Sequence, residues 1–449
     1  MTKFQPQNAR EVALLALERV EYNGAYSNLQ LDQLLKKYPL NKADRRLATN
    51  IVYGVLQHQL TLEYWLAPFV RRRKLDPWVK TLLLIAIYQF QYLDRVPNWA
   101  VTNETIETAK RRSNPGIRKF VTGVLHAILR QGVPSLEQIS DPWKKLSISS
   151  SVPEWLVKEL VSQYGQQQAE QVLTAINESA RQVVRINSAK VGLGQVKQEL
   201  TKAGIKFVSS QVAQDALVIT RGEVVDSPLF QRGEITIQDE SAMLAVESMQ
   251  IEPADQVLDA CAAPGGKTVQ IAARLSVADG DQVTALDIHQ HKVQLIEKNA
   301  RRLGVSNAVT AQKLDARDVS QQFADQSFDK ILVDAPCSGI GLLRRKPEIR
   351  YTKSLSDSRK LHQIQLAILD AVAPKVKKGG IITYSTCTIL RQENDETVAA
   401  FLAQHPEFEL VKTTTANKVK DDRSSQTLTI LPSDFGSDGF FISNLKKIK

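Results

Sequence analysis

Apolar residues in the first 140 positions recur at the three- and four-residue spacing of an amphipathic helix. Six helices are predicted from this spacing and from the Pro and Gly residues between the apolar stretches: Arg10–Val20, Arg45–Leu56, Leu62–Phe69, Trp78–Tyr88, Trp99–Arg111 and Ile117–Leu129. The whole segment shows helical spacing. The pattern therefore predicts an all-α domain over residues 1–140.

Residues 150–230 show a mixed pattern. The chain has a predicted break from Pro134 to Pro153, which includes a serine-rich stretch, and helical spacing from Pro153 to Ala175. Strand-like runs follow at Val183–Asn187, Lys206–Ser209 and Ala216–Ile219, with a helix near Gly194–Ala203. We expect a small α+β module here, linking the helical domain to the rest of the chain.

Short apolar runs alternate with helical stretches over residues 231–449. The predicted strands are Val257–Ala260, Val283–Leu286, Val309–Gln312, Lys330–Val333 and Ile381–Tyr384, and the predicted helices are Lys267–Leu275, His291–Leu303, Ser358–Val376 and Gln392–Gln404. This alternation is typical of βαβ units, so we expect an α/β Rossmann-like domain with a mostly parallel sheet. A final run, Gly439–Ser443, is expected to add a strand at the edge of the sheet.

The positive charge of the chain is concentrated in its first third. The 449 residues have a net charge of +10, and residues 1–140 hold 20 basic and 11 acidic residues. Basic clusters occur at Arg45–Arg46, Arg71–Lys74, Lys110–Arg112 and Arg118–Lys119. Cations near helix C-termini also have a structural explanation, because they interact favourably with the helix dipole. Four clusters in one domain nevertheless favour contact with nucleic-acid phosphates.

The composition, 43% hydrophobic and 24% charged, is that of an ordinary globular protein. The longest apolar run, Leu82–Tyr88, is far shorter than the about 20 residues that span a bilayer. The first 20 residues mix charged and apolar positions, unlike a secretory signal. Only three cysteines are present, which favours a reducing compartment. We therefore expect a cytoplasmic protein with no membrane partner.

The first predicted strand of the α/β domain ends in the segment Asp259–Thr268, which is rich in small residues. Two glycines after a strand let backbone N–H groups approach a ligand closely. A phosphate-binding P-loop needs a glycine where this chain has Cys261, and the Gly-x-Gly spacing of a dinucleotide site is absent. The segment therefore favours a cofactor that has no pyrophosphate.

Acidic residues follow the next two predicted strands. Asp287 lies 21 residues after Gly266, where an acidic side chain would hold ribose hydroxyls, and Asp315 lies where a carboxylate or the backbone could bind an adenine amino group. Each Asp alone is more often a turn residue or a helix cap. Three strand-end acids and a glycine turn together describe an adenosine-bearing cation, which predicts S-adenosylmethionine.

Two of the three cysteines follow the fourth and fifth predicted strands, in the segments Asp334–Gly339 and Tyr384–Thr388. A lone cysteine is most often a small buried hydrophobe. Two thiols at neighbouring strand ends, with a methyl donor, suggest methylation at carbon 5 of a pyrimidine. A thiolate that adds to carbon 6 makes carbon 5 nucleophilic. Lys267 would lower the pKa of the thiol, and Asp334, if burial keeps it protonated, would stabilise charge at ring N3.

These three segments resemble motifs I, IV and VI of the RNA 5-methylcytosine methyltransferases of the NOL1/NOP2/Sun family. Residues 1–140 resemble NusB, a helical RNA-binding protein. The resemblance implies that Cys387 is the nucleophile and that Cys337 assists product release. It further implies that the S-adenosylmethionine site is lined by Cys261, Ala262, Ala263, Pro264, Gly265, Gly266, Lys267, Asp287, Asp315 and Asp334, with no metal.

The fusion of these two parts implies a monomeric enzyme that methylates a cytosine in 16S ribosomal RNA, naked or in an early small-subunit particle. One alternative is a NusB-like antitermination factor whose methyltransferase domain is inactive. The presence of Cys387, Cys337 and Asp334 disfavours that alternative. Another is a DNA cytosine methyltransferase, which the position of a Thr-Cys pair after strand five disfavours.

Overall fold

The computed structural model of the chain describes residues 4–23, 26–70, 74–275 and 282–449. The chain forms two compact units. Unit 1 comprises Met1–Asn177 and Leu343–Lys353, and unit 2 comprises Glu178–Leu342 and Ser354–Lys449. The finer division into residues 1–140, 150–230 and 231–449 stays a prediction. Of the predicted basic cluster Arg71–Lys74, the residues 71–73 lie outside the described part of the chain.

Unit 1 is helical, as the apolar spacing predicts. Its helices are α1 (Ala9–Asn23), α2 (Ser27–Lys37), α3 (Lys42–Gln57), α4 (Gln59–Leu66), α5 (Pro77–Tyr92), α6 (Asn98–Arg112), α7 (Pro115–Gln131), α8 (Pro142–Ser150), α9 (Glu154–Tyr164) and α10 (Gln166–Ala175). Helix α5 is buried almost continuously from Thr81 to Gln89. A helix that is apolar on all sides must be covered on all sides, so α5 lies in the core of this unit.

Glycine allows α3 and α5 to approach each other closely. A Cβ atom at Gly54 would collide with the ring of Tyr88, whose hydroxyl group donates a hydrogen bond to Asn50 Oδ1 at 2.5 Å. The adjacent residues Ile51, Val52 and Val55 are buried in the same core. The sequence places both helices correctly, but this contact depends on the absence of a side chain.

One part of the helical prediction was wrong, and the structure adds detail to another. The predicted break from Pro134 to Pro153 contains α8, because Asp141 caps the helix by accepting from the Lys144 N–H and Pro142 occupies its first turn. Pro153–Ala175 forms two helices, α9 and α10, separated by Gly165 at φ 78°. The sequence analysis also missed α2.

Unit 2 begins with an α+β part made of β1 (Gln182–Ile186), α11 (Leu193–Lys202), β2 (Lys206–Ser209), β3 (Ala216–Arg221), α12 (Pro228–Gln231) and β4 (Ile235–Ile237). Its four strands form an antiparallel sheet in the order β2-β3-β1-β4. The predicted small α+β module is thus confirmed. Strand β4, which the sequence analysis missed, completes its sheet.

The remaining elements of unit 2 are the strands of a larger sheet and the helices between them. They are α13 (Glu240–Ser248), β5 (Val257–Asp259), α14 (Gly266–Ala272), β6 (Val283–Asp287), α15 (Gln290–Leu303), β7 (Val309–Lys313) and β8 (Phe328–Asp334). The segment Leu343–Lys353, which contains α16 (Ile349–Thr352), belongs to unit 1. Unit 2 then continues with α17 (Leu355–Val372), β9 (Val376–Thr386), α18 (Asp395–Gln404), β10 (Phe408–Val411), β11 (Leu428–Ile430), α19 (Pro432–Phe435) and β12 (Phe440–Lys447).

The larger sheet is mostly parallel, as predicted. Its strand order is β10-β12-β9-β8-β5-β6-β7, with β5 to β9 parallel to one another. The run at Gly439–Ser443 forms part of β12, but β12 is not at the edge: it lies antiparallel between β9 and β10. The edge prediction was wrong because β11 pairs with Phe440–Ile442 and β10 pairs with Asn444–Lys447, and neither of these short strands was predicted from the sequence.

Charged side chains at helix ends hold the segment Leu343–Lys353 in unit 1. Arg344 donates to the carbonyl of Ala175, the last residue of α10, at 2.7 Å. Glu348 accepts from the backbone N–H (3.0 Å) and the hydroxyl (2.9 Å) of Ser27, the first residue of α2. Each charge therefore has the sign that the helix dipole favours at that end.

Arg350 is the most deeply buried residue of this segment and has no exposed surface. Its guanidinium group donates to the carbonyl of Gln57 (3.0 Å), the last residue of α3, and to the carbonyl of Ser151 (3.2 Å), just after α8. It also donates to Asn177 Oδ1 at 2.9 Å. One side chain thus satisfies backbone groups from separate helix ends.

We expect Arg350→Ala to lower the free energy of unfolding of unit 1 by about 3 kcal/mol, because it leaves several buried carbonyl groups without donors. All five tryptophans precede residue 177, so tryptophan fluorescence during urea unfolding reports on this unit. Arg350→Lys, which keeps the charge but loses the forked donor, should give an intermediate loss. Equal urea midpoints for the wild type and Arg350→Ala would contradict this account.

Candidate active site

The strand ends that carry the sequence motifs meet at one edge of the larger sheet. Asp259 ends β5, Asp287 ends β6 and Asp334 ends β8. Because these strands are parallel neighbours, their carboxyl ends lie at the same edge, where ligands bind in open α/β sheets. The fold therefore brings together the acidic residues that the sequence analysis selected.

The two predicted site cysteines also meet at this edge. Strands β8 and β9 are adjacent, and Asp334 pairs with Ser385, so Cys337 and Cys387 each follow the end of a neighbouring strand. Their sulfur atoms lie 2.9 Å apart. Both are free thiols and both are partly exposed. The predicted meeting of the two sulfur atoms is confirmed, and neither is sealed in the core.

The Cys337 thiol holds its proton firmly. Its hydrogen bond with Cys387 and, next, its burial raise the pKa of Cys337 well above the ordinary value. The negative charges of Glu393 and Asp334 act in the same direction. Cys337 is therefore suited to donate a hydrogen bond, and Cys387 to receive it.

Lys267 and Asp334 form an ion pair beside the thiols. Lys267 Nζ lies 2.8 Å from Asp334 Oδ2 and 4.9 Å from the centre of the Phe440 ring, while the Ser385 hydroxyl donates to Asp334 Oδ1 at 2.9 Å. Burial alone would lower the pKa of Lys267, but the attraction of Asp334 outweighs it, so the net shift is upward. Charge on Cys387 raises the pKa of Lys267 further.

The contacts of Asp334 differ from the expectation of a protonated side chain. Both of its carboxylate oxygens accept hydrogen bonds, one from an ammonium group and one from a hydroxyl group. Donors on both oxygens suit an ionised carboxylate, which is an acceptor only. The sequence could not show this arrangement, because Ser385 and Lys267 come from separate segments of the chain.

Cys261 lies among four strand-end carboxylates. Burial raises the pKa of the Cys261 thiol, and the nearby charges of Asp259, Asp334, Asp287 and Asp315 raise it further. The thiol is therefore neutral, and the surrounding electrostatic potential is negative. Such a site favours a ligand that carries positive charge.

The segment after β5 leaves room for a ligand. Gly265, at φ 98°, makes the turn into α14, and a Cβ atom at Gly266 would meet nothing within 4 Å. The Asp259 side chain accepts a hydrogen bond from the Thr268 hydroxyl at 2.7 Å, but its second oxygen, Oδ1, is buried without a partner. An unpartnered buried oxygen and an open glycine surface fit the ammonium group and the backbone contacts that S-adenosylmethionine would need.

The other predicted cofactor residues are of two kinds: residues of the turn after β5, and strand-end carboxylates that already have partners. Ala262 is buried and Pro264 follows a cis peptide bond, so both shape the turn with Ala263. Asp287 accepts from the backbone N–H of His289 at 2.9 Å. Asp315 is held by Arg317, which donates to both of its oxygens and lowers the pKa of Asp315. The carboxylate of Asp315 is thus already engaged, and Oδ2 of Asp287 lies 3.8 Å from Lys292 Nζ.

Sequence reasoning missed a buried polar network behind Cys337. Ser338 donates from its hydroxyl group to Thr388 Oγ1 at 2.9 Å and from its backbone N–H to Glu393 Oε2 at 2.8 Å. Glu393 and Gln365 have no exposed surface. The one signal in the sequence was a glutamate six residues after a motif cysteine, and the predicted helix Gln392–Gln404 explained it as an ordinary helix residue.

No group of three or more His, Cys, Asp or Glu side chains is arranged to hold a metal ion anywhere in the described ranges. Within those ranges, no helix is both long and apolar enough to cross a membrane.

We expect Asp259→Asn to remove a pH dependence of stability. Burial raises the pKa of Asp259 from 3.8 to about 7, so between these pH values the folded state holds a proton that the unfolded state has lost. The free energy of unfolding of the wild type should then fall by up to roughly 4 kcal/mol, relative to Asp259→Asn, as the pH rises from 4 to 7. Unfolding of both proteins without ligand, followed by circular dichroism, measures this difference; parallel curves would contradict it.

Three family models match the chain. The model described as 16S rRNA methyltransferase RsmB/F matches residues 246–446. The NusB family model matches residues 7–130, and the model of the RsmF/B-like ferredoxin-like domain matches residues 152–226.

Curated relatives are similar to the chain over nearly its full length. The probable ribosomal RNA small subunit methyltransferase B of Bacillus subtilis is 43% identical, over 98% of this chain and 99% of its own length. The ribosomal RNA small subunit methyltransferase B of Yersinia pseudotuberculosis is 33% identical over the same shares of the two chains.

Solved structures share the fold. The crystal structure of PH0851 aligns with a TM-score of 0.82 at 24% identity, over 99% of this chain and 100% of that chain. NSun6 from Pyrococcus horikoshii aligns with a TM-score of 0.58 at 20% identity, over 66% of this chain and 98% of that chain. At these identities the likeness extends to the fold alone.

Proposed function

The chain belongs to the ribosomal RNA small subunit methyltransferase B family, and we propose that it transfers a methyl group to carbon 5 of a cytosine in 16S ribosomal RNA. Membership establishes an rRNA methyltransferase that uses S-adenosylmethionine. The position on the base, the covalent route and the choice of 16S rRNA are our proposals.

The observation that carries the proposal is the contact between two free thiols at the carboxyl edge of the sheet. Many methyl transfers need no thiol, because the acceptor is already nucleophilic. Carbon 5 of cytosine is different: it becomes nucleophilic only after a group adds to carbon 6. A pair of thiols, Cys337 and Cys387, beside a site that favours a cation supports this chemistry.

Cys387 is the nucleophile in this mechanism. Cys337 holds its proton and shares a hydrogen bond with Cys387, and charge on Cys387 raises the pKa of Lys267, so the ammonium group of Lys267 would stabilise a thiolate at Cys387. Addition of the Cys387 sulfur to carbon 6 breaks the carbon 5–carbon 6 double bond and places an electron pair at carbon 5. When bound, S-adenosylmethionine supplies an electrophilic methyl group on a sulfonium.

Cys337 serves the second half of the reaction. After methylation, carbon 5 loses its proton to a base, the double bond forms again, and the carbon 6–sulfur bond returns its electron pair to Cys387. Cys337 lies beside the departing sulfur at 2.9 Å, so we assign it to this elimination. The ion pair of Lys267 and Asp334 orients the cytosine ring and balances the charge that develops on it.

Basic residues of unit 1 supply the contact with RNA. Arg45 is exposed at the start of α3, and Arg118 and Lys119 are exposed in α7. The cluster Lys110–Arg112 is less available than its sequence suggests, because Arg111 pairs with Glu11 and Arg112 pairs with Glu18. We therefore assign phosphate contact to the first three residues.

Bisulfite sequencing of ribosomal RNA tests this function, since 5-methylcytosine resists conversion. We expect one cytosine of 16S rRNA to lose its protection in cells that lack this protein and to regain it when the wild-type chain is restored. Restoring the chain with Glu396→Gln, a change at an exposed position, should also regain it. An unchanged pattern of protected cytosines in cells that lack the protein would contradict the proposal.

A further inference from the structure

A buried carboxylate with neutral donors lies behind the thiol pair. Glu393 has no exposed side-chain surface. Its Oε2 accepts from the Ser338 N–H at 2.8 Å and from Gln365 Nε2 at 3.2 Å, and its Oε1 accepts from the Ser358 hydroxyl at 2.9 Å. Burial of a carboxylate among neutral donors costs free energy of folding, because the charge loses its hydration and gains no cationic partner. This cost indicates that Glu393 has a specific role.

Glu393 and Gln365 together hold the peptide groups on both sides of Cys337. Gln365 Nε2 donates to the carbonyl of Pro336 at 3.0 Å, on the N-terminal side of the cysteine. The Ser338 N–H, on the C-terminal side, donates to Glu393. The backbone of Cys337 is therefore fixed at two points, and Gln365 links those points by its contact with Glu393.

The same glutamate belongs to the segment that carries the nucleophile. It lies six residues after Cys387, and its backbone carbonyl accepts from the hydroxyl group of Tyr384, in β9, at 2.5 Å. A second link runs between the two cysteine segments, where the Gly341 N–H donates to the Cys387 carbonyl at 3.0 Å. Glu393 thus joins the Cys337 loop to the end of β9.

We propose that Glu393 is a positioning residue that holds Cys337 against Cys387, through the backbone on both sides of Cys337 and through its own negative charge. This inference rests on the proposed function, because it concerns the partner of the nucleophile. Glu393 touches neither sulfur through its own hydrogen bonds, so it acts through the Ser338 backbone and through its charge.

The charge of Glu393 adds to the effect of its hydrogen bonds. It is one of the groups that raise the pKa of Cys337, after the hydrogen bond with Cys387 and burial. Removal of this charge should allow Cys337 to ionise at a lower pH. A residue with only a structural role would not change this property.

The test compares Glu393→Gln with the wild type in two assays. In the first, iodoacetamide alkylates the enzyme without RNA over a range of pH, and peptide mass spectrometry measures the modification of Cys337. We expect the pH of half-maximal alkylation to fall by about one unit in Glu393→Gln. In the second, the enzyme reacts with S-adenosylmethionine and small-subunit rRNA that lacks the modification. Release of the protein–RNA adduct should slow by about 100-fold, whereas its formation changes little.

The matched control is Glu396→Gln, which makes the same change at an exposed position three residues further along. It should behave as the wild type in both assays. Gln365→Met is the second variant, because it removes the donor to Pro336 and one donor to Glu393 without changing the charge. It should slow adduct release and leave the alkylation profile unchanged. It therefore tests whether the backbone contacts on both sides of Cys337 hold the thiol in place, even if Glu393→Gln does not fold.

The outcomes separate this inference from the proposed function. If the wild type forms an adduct but Glu393→Gln matches it in alkylation and in release, the positioning role is overturned. If the wild type forms no adduct with RNA that contains 5-fluorocytidine, from which the adduct cannot be released, the proposed function fails, while the alkylation profile still decides whether Glu393 controls Cys337.

Discussion

Replacement of Cys387 by alanine is expected to reduce methyl transfer by at least about 10⁴-fold, the scale of losses seen when a covalent nucleophile is removed. Without the sulfur, nothing adds to carbon 6, and carbon 5 stays a poor nucleophile. Transfer of a radiolabelled methyl group from S-adenosylmethionine to unmodified small-subunit rRNA measures the loss. Cys387→Ser should be nearly as inactive, because a hydroxyl group ionises far less readily than a thiol.

Binding of S-adenosylmethionine is the control for this variant. The features that fit the cofactor, the free oxygen of Asp259 and the open surface at Gly266, come from the segment after β5 and not from Cys387. Calorimetry should therefore give a dissociation constant within about threefold of the wild-type value, a change of less than 1 kcal/mol. Turnover by Cys387→Ala within tenfold of the wild type would rule out Cys387 as the nucleophile.

Replacement of Cys337 by alanine should give a different phenotype, a covalent protein–RNA adduct that persists. Cys387 can still add to carbon 6, but the group assigned to the elimination is missing. General acid–base assistance is typically worth about 10²–10⁴-fold, so turnover should fall by that factor while the adduct accumulates. A denaturing gel with labelled RNA shows the adduct as a band of low mobility.

The double variant Cys337→Ala/Cys387→Ala is the matched control for the adduct. It lacks the nucleophile, so the slow band should disappear although the Cys337 change is still present. If Cys337→Ala alone gives no adduct but turns over slowly, Cys337 assists formation of the adduct and not its release.

Strong local patterns allowed much of the fold to be predicted from the sequence. The parallel strands β5, β6, β8 and β9 could be located because a buried strand is a short, mostly apolar run bounded by turn residues. Strand β7 was also located, although it lies at the edge of the sheet and is half-buried. The meeting of Cys337 and Cys387 followed from the adjacency of β8 and β9. The strand-end acids could be selected for the same reason.

The missed features depend on contacts between distant parts of the chain. Strand β12 lies inside the sheet because the short strands β11 and β10 both pair with its outer side, β11 with Phe440–Ile442 and β10 with Asn444–Lys447. Arg350 appears in the sequence as one more surface cation, yet it is fully buried at the ends of α3 and α8. Burial of a charged side chain is decided by partners that no local pattern shows.

In the candidate site, too, the sequence indicated single residues but not the contacts between distant segments. Residue types and strand ends indicated Lys267 and Asp334, but not their ion pair, which requires α14 and β8 to be placed together. The role of Glu393 was likewise hidden, because its donors come from the Cys337 loop and from α17. The sequence analysis identified the groups with obvious chemistry and missed the groups that position them.

The most direct test of the central claim is to identify the cysteine that is bonded to the base. RNA that contains 5-fluorocytidine, incubated with the enzyme and S-adenosylmethionine, should stop at the methylated adduct, because fluorine cannot leave carbon 5 as a cation. After digestion of the protein and the RNA, mass spectrometry should find the methylated fluorocytidine on the peptide that contains Cys387. An adduct on Cys337, or no adduct with RNA that is otherwise a substrate, would contradict the account.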